Sequence, residues 1–374
     1  MTPWLLDYLR CPACRDRLAT VPRTTDGYDV ITGTLHCENC GRTYPIEGGA
    51  PRLVVAENPV QKSFAFQWSR QLGGDFESSG NCFGLDPSRV VSALTRRLPT
   101  GAPKPGSIFV DAGCGLGEKA TLLAERHPDC HVVAFDLTRS VCALRDRYPN
   151  RPNLHFVQAD LNHNPFVDAM ADVVISIGVI HHTADPRRSF GDLTRLLKPE
   201  RSHLLLWVYL DPADDPNRRR YYWRRDVAFL GLGRHLPFPL TYGLCYAYTW
   251  LFALPSYALR RALSGRNGRP LPADGYARMS LRDKARSMAF VLFDDVTPRH
   301  QHRLPHEQVM GWFRSAALTV GENDFDGSGL FVGHRPERPA PAPYAATQPA
   351  MPSTPIAVRS SQRAHSELPN SAML

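Results

Sequence analysis

Residues 110–117 read Val-Asp-Ala-Gly-Cys-Gly-Leu-Gly and directly follow the apolar run Ser107-Ile108-Phe109. An apolar run that ends in an acidic residue and a glycine-rich turn is typical of a buried strand whose end meets a ligand, because glycine has no Cβ to keep the ligand away from the backbone. Such turns also occur in other dinucleotide and nucleoside sites. The stretch therefore predicts a ligand-binding turn and leaves the ligand open.

Four further apolar runs follow, at residues 131–135, 154–158, 172–177 and 203–209. The first of them ends in Asp136, at the distance where an acidic residue after the second strand can accept both ribose hydroxyls. Helical patterns at 118–126 and 189–197 lie between the runs. This alternation predicts an α/β fold with a parallel sheet covered by helices on both faces.

Four motifs in this region resemble the class I S-adenosylmethionine (SAM)-dependent methyltransferases: Asp-Ala-Gly-Cys-Gly-Leu-Gly at 111–117, Phe-Asp-Leu at 135–137, Gln-Ala-Asp-Leu at 158–161 and Gly-Val-Ile-His-His-Thr at 178–183. The resemblance covers about residues 107–209 and a closing segment near the end of the fold. It implies a Rossmann-like sheet of five parallel strands plus a terminal antiparallel hairpin, with SAM as cofactor. The implied cofactor-binding residues are Asp111, Ala112, Gly113, Cys114, Gly115, Gly117, Asp136, Leu137, Asp160, Leu161 and Gly178.

By the same resemblance, Asp111 and the glycines line the methionine part of the cofactor and Asp136 holds the ribose. Asp160 and Leu161 face the adenine, and Gly178 lies beside the reactive methyl group. Two alternatives remain open: Asp136 as a helix N-cap, and an NAD-type Rossmann domain. The second usually has a Gly-x-Gly-x-x-Gly pattern, whereas the residue three after Gly117 is Ala120.

The N-terminus carries two Cys-x-x-Cys pairs, Cys11/Cys14 and Cys37/Cys40. Their spacing is typical of a tetrahedral structural zinc site, which four thiolates fill completely. The segment resembles the small zinc-ribbon proteins that activate RNA and protein methyltransferases. The alternative is two disulfides. Because no secretory signal is recognisable at the N-terminus, we expect a cytoplasmic protein with reduced thiols and favour structural zinc.

An aromatic segment, residues 64–70, lies between the ribbon and the sheet. Gln67 and Trp68 are candidate substrate-binding residues on an N-terminal helix that closes over the cofactor, as in related methyltransferases. The alternative is that the aromatic cluster only packs against the sheet edge.

Residues 211–303 are too long for an ordinary connection and are expected to form a helical cap insertion. The segment 218–225 is basic and aromatic, and 236–259 carries no charge. Prolines at 237, 239 and 255 leave about 15 residues of unbroken helix, or roughly 22 Å, which is short of the ~30 Å membrane core. Five residues share one helical face: Leu240, Leu244, Tyr248, Leu251 and Leu254. A membrane-surface helix, a buried cap helix and a dimer contact all remain open. The first of these would give peripheral membrane contact through residues 218–261, at the inner face of the membrane.

His181 and His182 are the candidate catalytic residues, because histidine is the usual base near neutral pH and the pair follows the fourth strand. Asp294, Arg299 and His302 are candidate substrate-binding residues in an acidic-Thr-Pro-Arg stretch that is common in related bacterial enzymes. The alternative for this stretch is a solvated loop that caps a helix. A metal site built from His181, His182, His300 and His302 is the less favoured alternative.

The chain has 374 residues and a formal net charge of +8, which suggests anionic partners without separating nucleic acid from phospholipid or a phosphorylated sugar. The predicted organisation is a zinc-ribbon-like segment at 1–56, a linker with lid helices at 57–104, a class I methyltransferase domain at 105–334 and a disordered tail at 335–374, which is rich in Pro, Ala and Ser.

Three functions compete. The residues favour a methyltransferase that acts on a small-molecule, lipid or glycan-type substrate, because the cap is long, apolar and aromatic. An RNA (rRNA or tRNA) methyltransferase is the alternative that the basic charge supports. A non-catalytic methyltransferase-like binding or scaffold protein is the third, and the complete set of cofactor residues argues against it.

Overall fold

The computed structural model describes residues 1–55, 59–74, 87–98, 103–211, 223–266, 276, 279–320 and 329–337. The strands are β1 (Ala19–Asp26), β2 (Asp29–His36), β3 (Thr43–Glu47), β4 (Ala50–Leu53), β5 (Ile108–Ala112), β6 (His131–Asp136), β7 (Leu154–Ala159), β8 (Val173–Ile177), β9 (His203–Trp207), β10 (Thr319–Val320) and β11 (Leu330–His334). The α-helices are α1 (Pro3–Tyr8), α2 (Pro59–Leu72), α3 (Pro87–Arg97), α4 (Glu118–Arg126), α5 (Leu144–Arg147), α6 (Pro186–Leu196), α7 (Phe238–Tyr248), α8 (Leu254–Arg266), α9 (Leu281–Val296) and α10 (His306–Ser315).

The strands form one sheet in the order β1-β2-β3-β4-β7-β6-β5-β8-β9-β11-β10. Strands β7, β6, β5, β8 and β9 are parallel, while β11 is antiparallel to both β9 and β10. This confirms the predicted Rossmann-like sheet of five parallel strands with a terminal hairpin. Nearly every residue of these five strands is buried, because helices cover both faces.

The core lies in two layers, one on each face of the sheet. One layer joins side chains of α1, α6 and α10 to the strands, and the other joins those of α3 and α4. Successive strands are added in one direction from β5 through β6 to β7, and in the other direction from β8 to β9. Open α/β sheets bind ligands at such a switch point, at the carboxyl ends of the strands.

The N-terminal ribbon extends the sheet, which the sequence did not reveal. Strand β4 pairs antiparallel with β3 and parallel with β7, where Arg52 is opposite Gln158 and Leu53 opposite Ala159. The Arg15 guanidinium donates to the carbonyl oxygens of Asn164 and Phe166, both at 2.7 Å. The ribbon is therefore joined to β7 and to the segment that follows it.

The cap helices α7 and α8 are continuous through a π-helical turn, Thr249–Ala253. Proline lacks an N–H and its ring clashes with the carbonyl four residues earlier, and the wider turn directly before Pro255 accommodates both effects. The predicted shared face is therefore wrong in part. Leu240, Leu244 and Leu251 are exposed, whereas Leu254 is buried, because the π turn shifts the helical register.

No helix in the described part of the chain is long and apolar enough to cross a membrane. Residues 212–222, which include most of the basic and aromatic segment, lie outside the described ranges. Arg335, placed by the sequence at the start of a disordered tail, donates to the carbonyl oxygens of Leu197 and Lys198, both at 2.9 Å. Residues 338–374 of that tail are not among the described residues.

Candidate functional site

A cavity of about 400 Å³ opens at the carboxyl ends of β5, β6, β7 and β8. Twelve of the residues assigned from the sequence line it: Gln67, Trp68, Gly113, Cys114, Gly115, Asp136, Leu137, Asp160, Leu161, Gly178, His182 and Asp294. Six do not: Asp111, Ala112, Gly117, His181, Arg299 and His302. The motifs that are far apart in the sequence therefore converge on one cavity.

The glycine-rich turn after β5 forms the floor of the cavity. Gly113 has a φ of +76°, and a Cβ there would lie 2.3 Å from a methyl carbon of Val179. Gly115 has a φ of +57°, and a Cβ there would lie 3.1 Å from the Trp68 ring. Both positions need glycine, since the turn is left-handed and packed against side chains from two other segments.

Asp111 lies beneath this turn and is fully buried. Neither of its carboxylate oxygens has a hydrogen bond of ordinary distance and angle among the described residues, although the Ala120 amide lies near enough to stabilise the carboxylate. Burial raises the pKa of its carboxyl, and the charge of Lys119 opposes that shift. A buried carboxyl beneath a glycine turn suits a ligand that carries a positive charge.

Asp136 follows β6 and is held rigidly. Its Oδ2 accepts from the Gly115 amide at 2.9 Å, and its Oδ1 accepts from the amide and hydroxyl of Thr138 at 2.8 and 2.7 Å. Burial raises the pKa of this carboxyl, and these donors oppose the shift. The carboxylate therefore couples the glycine turn to the end of β6 and is oriented at the cavity wall.

Asp160 caps the short 3₁₀ helix Leu161–His163, because its Oδ1 accepts from the Asn162 amide at 2.9 Å. Its Oδ2 lies 3.1 Å from Nδ1 of His163. Leu161 is buried beside it. The two residues shape the end of the cavity nearest the ribbon-anchored strand β7.

Helix α2 closes the cavity from above. Gln67 and Trp68 line it, whereas Phe66 packs against Phe238 and Phe293 of the cap. Gln67 donates to Oδ1 of Asp294 at 3.2 Å, and Gln71 donates to Glu118 at 3.3 Å. The helix thus spans the cavity from the cap to α4. Both interpretations of the aromatic segment apply in part, because Gln67 and Trp68 line the cavity while Phe66 packs against other aromatic side chains.

Asp294 projects from α9 into the far end of the cavity. It accepts hydrogen bonds from Gln67 and, at Oδ2, from the Tyr209 hydroxyl at 3.1 Å. Burial raises the pKa of its carboxyl to about 6, although these two donors act in the opposite direction. Near neutral pH this group can therefore exchange a proton with a bound molecule.

The adjacent histidines occupy different environments because they lie on a short 3₁₀ helix, Ile180–His182, and not on extended backbone. Nδ1 of His182 donates to the carbonyl oxygen of His300 at 3.1 Å, so Nε2 keeps the lone pair of the neutral ring. That Nε2 lies 4.0 Å from Oδ2 of Asp294. His181 stacks on Tyr209 at 4.1 Å outside the cavity lining. Burial lowers the pKa of His181 well below its usual value.

The other two predicted substrate residues have different surroundings. Arg299 is exposed and does not line the cavity. Nε2 of His302 donates to the carbonyl oxygen of Thr183 at 3.1 Å, and its amide donates to that of His181 at 2.8 Å. His302 therefore holds the 3₁₀ helix in place.

The sequence analysis assigned no cofactor-binding, substrate-binding or catalytic role to several residues that line the cavity. Among them are Phe64, Trp207, Tyr209 and His300. Tyr209 lies two residues beyond the end of β9, and the exit of the fifth strand could have identified it. The contact between Tyr209 and Asp294 joins residues 85 positions apart, which no local pattern indicates.

The four N-terminal cysteines form one cluster. Their sulfur atoms all lie within 4.8 Å of one another, with Cys11 and Cys40 at 3.6 Å and Cys14 and Cys37 at 3.4 Å. A tetrahedral zinc ion with Zn–S bonds of about 2.3 Å requires S–S distances of roughly 3.8 Å. The four thiols are not in disulfides. Within the described ranges, no other group of His, Cys, Asp or Glu offers a metal site, so the four-histidine alternative gains no support.

Residues 110–204 match the methyltransferase domain family, and residues 3–49 match the Trm112p-like protein family. Two curated relatives have different acceptors. One is a malonyl-[acyl-carrier protein] O-methyltransferase from Marinomonas sp., 30% identical over 36% of this chain and 50% of its own length. The other is a tRNA U34 carboxymethyltransferase from Syntrophotalea carbinolica, 28% identical over 40% of this chain and 49% of its own length.

A solved SAM-dependent methyltransferase from Aquifex aeolicus is 15% identical, covers 71% of this chain and 96% of its own, and has a TM-score of 0.38. The chain spans about half the length of the curated relatives that it matches.

Proposed function

We propose that this protein, which carries a methyltransferase domain behind a Trm112p-like domain, is a SAM-dependent methyltransferase that acts on a small-molecule, lipid or glycan-type substrate. The observation that carries the proposal is that one cavity joins Asp136 and the glycine turn to Asp294, a carboxyl with a pKa of about 6. A cofactor site and a titratable acceptor site thus share a single chamber.

The residues at the cofactor end fit SAM. Asp136 would accept from the ribose hydroxyls, Asp160 and Leu161 would flank the adenine, and Asp111 would face the amino group of the methionine moiety from beneath the turn. When bound, SAM supplies an electrophilic methyl group on a sulfonium. The protein's own contribution is then to position the acceptor and to exclude water.

At the acceptor end, the Asp294 carboxylate would take the proton that a hydroxyl or amine acceptor loses. Gln67 and Tyr209 fix its two oxygens, and Nε2 of His182 is a second proton acceptor 4.0 Å away. This refines the sequence prediction, which gave the catalytic part to the histidines and a substrate-binding part to Asp294. The aromatic rings of Phe64 and Trp207 also line this chamber.

The substrate class rests on the acceptor end. Asp294 and His182 are both buried, beneath helix α2 and the apolar cap. A compact or extended acceptor can enter such a chamber, whereas a base of a folded RNA would first have to be extruded. An RNA substrate remains the alternative, because the chain is basic and one curated relative acts on tRNA.

Calorimetric titration of the full chain tests the cofactor assignment. We expect SAM to bind with micromolar affinity and NAD not to bind. Binding of NAD alone would contradict the proposal, and binding of neither would favour a scaffold role.

The acceptor class is tested with SAM labelled in its methyl group. The enzyme is incubated separately with a solvent-extracted lipid fraction, a polar small-molecule fraction and total RNA from the source cells. We expect label in one of the first two fractions. Label in RNA alone would replace the proposed substrate class with the alternative.

We further propose that the four cysteines bind one structural zinc ion. Cys37→Ser is expected to lower bound zinc from about one ion per chain to a small fraction of that, because three thiolates leave a tetrahedral site incomplete. Zinc is measured by plasma mass spectrometry. Cys142→Ser is the matched control, since Cys142 is half-buried and lies outside the cluster. Equal zinc content in wild type and Cys37→Ser would contradict the four-thiolate site.

A further inference from the structure

Exposed apolar side chains are concentrated in the cap. Of the fifteen large hydrophobic residues that are exposed in the described ranges, twelve lie between Trp223 and Leu281. Their exposed fractions include 72% for Leu230 and 69% for Leu251. Soluble monomers seldom expose so many neighbouring apolar groups without a partner.

Five of these residues, together with the exposed Ala247, form a stripe along α7, the π turn and α8, which we call the cap face: Leu240, Leu244, Ala247, Leu251, Leu259 and Leu263. They recur at spacings of three, four or eight residues, and the register shift at the π turn places Leu259 and Leu263, in place of Leu254, on the outer side. At ~1.5 Å per residue the stripe is about 35 Å long. The opposite side, with Tyr242, Cys245 and Thr249, is buried, and Tyr242 and Cys245 pack with Phe290 and Phe293 of α9.

The segment that carries the cap face has charges of one sign. Residues 227–273 contain no Asp or Glu and five arginines, at 234, 260, 261, 266 and 269. Arg234, Arg260 and Arg261 are exposed near the two ends of the stripe. A second cavity of about 520 Å³ lies along α8 and combines Arg261 and Lys284 with apolar Leu254 and Leu281. Cations beside apolar surface match the headgroup and acyl regions of an anionic lipid.

We propose that the cap face seats this protein on the surface of an anionic lipid bilayer. A second copy of the chain fits less well, because a symmetric contact of the cap face with itself would bring its arginines together, and residues 227–273 supply no acid to pair with them. The face is a convex helix surface flanked by arginines and exposed aromatics such as Trp250 and Phe252, which is the pattern of a helix that lies in the membrane interface.

The geometry also relates this surface to the cavity. Tyr242, on the buried side of α7, contacts Phe66 and Phe293, and the next residues in the chain, Gln67 and Asp294, line the cavity. One layer of side chains therefore separates the cap helix that would contact the membrane from the acceptor end of the cavity. The proposal does not require the proposed reaction, because vesicle binding is measured without SAM.

The test is co-sedimentation of the full chain with sucrose-loaded vesicles at low salt. One vesicle is pure phosphatidylcholine and the other contains about 30% phosphatidylglycerol. We expect binding to the anionic vesicle that falls as salt is raised.

Leu244→Ser with Leu251→Ser should lower the partition coefficient at least about tenfold. Arg260→Gln with Arg261→Gln should lower it about fivefold per arginine, on the anionic vesicle only.

The matched control is Val21→Ser with Tyr28→Ser, which removes two exposed apolar side chains from the ribbon. It should bind vesicles as the wild type does. No binding by the wild type, or equal loss in the control, would overturn the proposal. Light scattering that finds a dimer broken by the Leu244/Leu251 variant, without vesicle binding, would assign the face to a second copy. SAM binding by each variant separates failure of this proposal from failure of the proposed function.

Discussion

Asp136→Ala is expected to raise the Kd for SAM at least about 100-fold. The carboxylate would accept from both ribose hydroxyls, and each hydrogen bond to a charged group contributes about 1.5–3 kcal/mol, so losing two costs roughly 3–6 kcal/mol. The substitution also removes the acceptor that holds the Gly115 amide and Thr138. Calorimetric titration with SAM measures the loss.

The control for this substitution is Asp172→Ala. Asp172 also accepts from a strand amide, that of Ile108, and pairs with Lys198, but it precedes β8 at the opposite end of the strands. It should leave the Kd within a few-fold of wild type. Unchanged SAM affinity in Asp136→Ala, with the far-UV circular dichroism intact, would remove the ribose assignment.

Asp294→Asn is expected to lower kcat about 100- to 10,000-fold, the usual contribution of a positioned general base. The amide keeps the size of the side chain but cannot accept a proton. SAM affinity should change little, because Asp294 lies at the acceptor end. Asp295→Asn is the matched control: this neighbour is also buried but pairs with Arg224 at 3.1 Å and is not among the residues lining the cavity. A loss of activity shared by both variants would indicate a structural effect of α9.

The same assignment fixes a pH dependence. The Asp294 carboxyl must be ionised to accept a proton, and its pKa is about 6. The value of kcat/KM should therefore fall about tenfold per pH unit below pH 6 and be level above it. Tyr209→Phe removes a donor that stabilises the carboxylate, so the pKa should rise and the acid limb should move to higher pH. A limb centred near pH 4 would contradict a role for this buried carboxyl.

The parts of the molecule that the sequence predicted well are local. The glycine turn, Asp136 and Asp160 each follow a strand within a few residues, so a strand–turn pattern is enough to bring them to one edge of the sheet. The cysteine pairs are local in the same sense, because two Cys-x-x-Cys turns bring four sulfur atoms together once one hairpin forms.

The parts that were missed depend on contacts between distant segments. Tyr209 joins the site only because α9 places Asp294 beside the exit of β9. The buried side of the cap depends on one π turn before Pro255, which no periodicity analysis of an ideal helix would include. The pairing of β4 with β7 links residues more than 100 positions apart, and two-residue pairing leaves no sequence signal.

That pairing has a thermodynamic consequence. Strand β7 ends at Ala159 and leads into Asp160 and Leu161. The ribbon pairs with the same strand through Leu53, and its Arg15 hydrogen-bonds to the segment that follows the strand. Two ligands that order opposite sides of one strand do not bind independently. We expect metal occupancy of the ribbon to favour the cofactor-competent cavity and, by linkage, a filled cavity to favour metal retention by the same free energy. The N-terminal ribbon would then act as a reciprocal effector built into the same sheet.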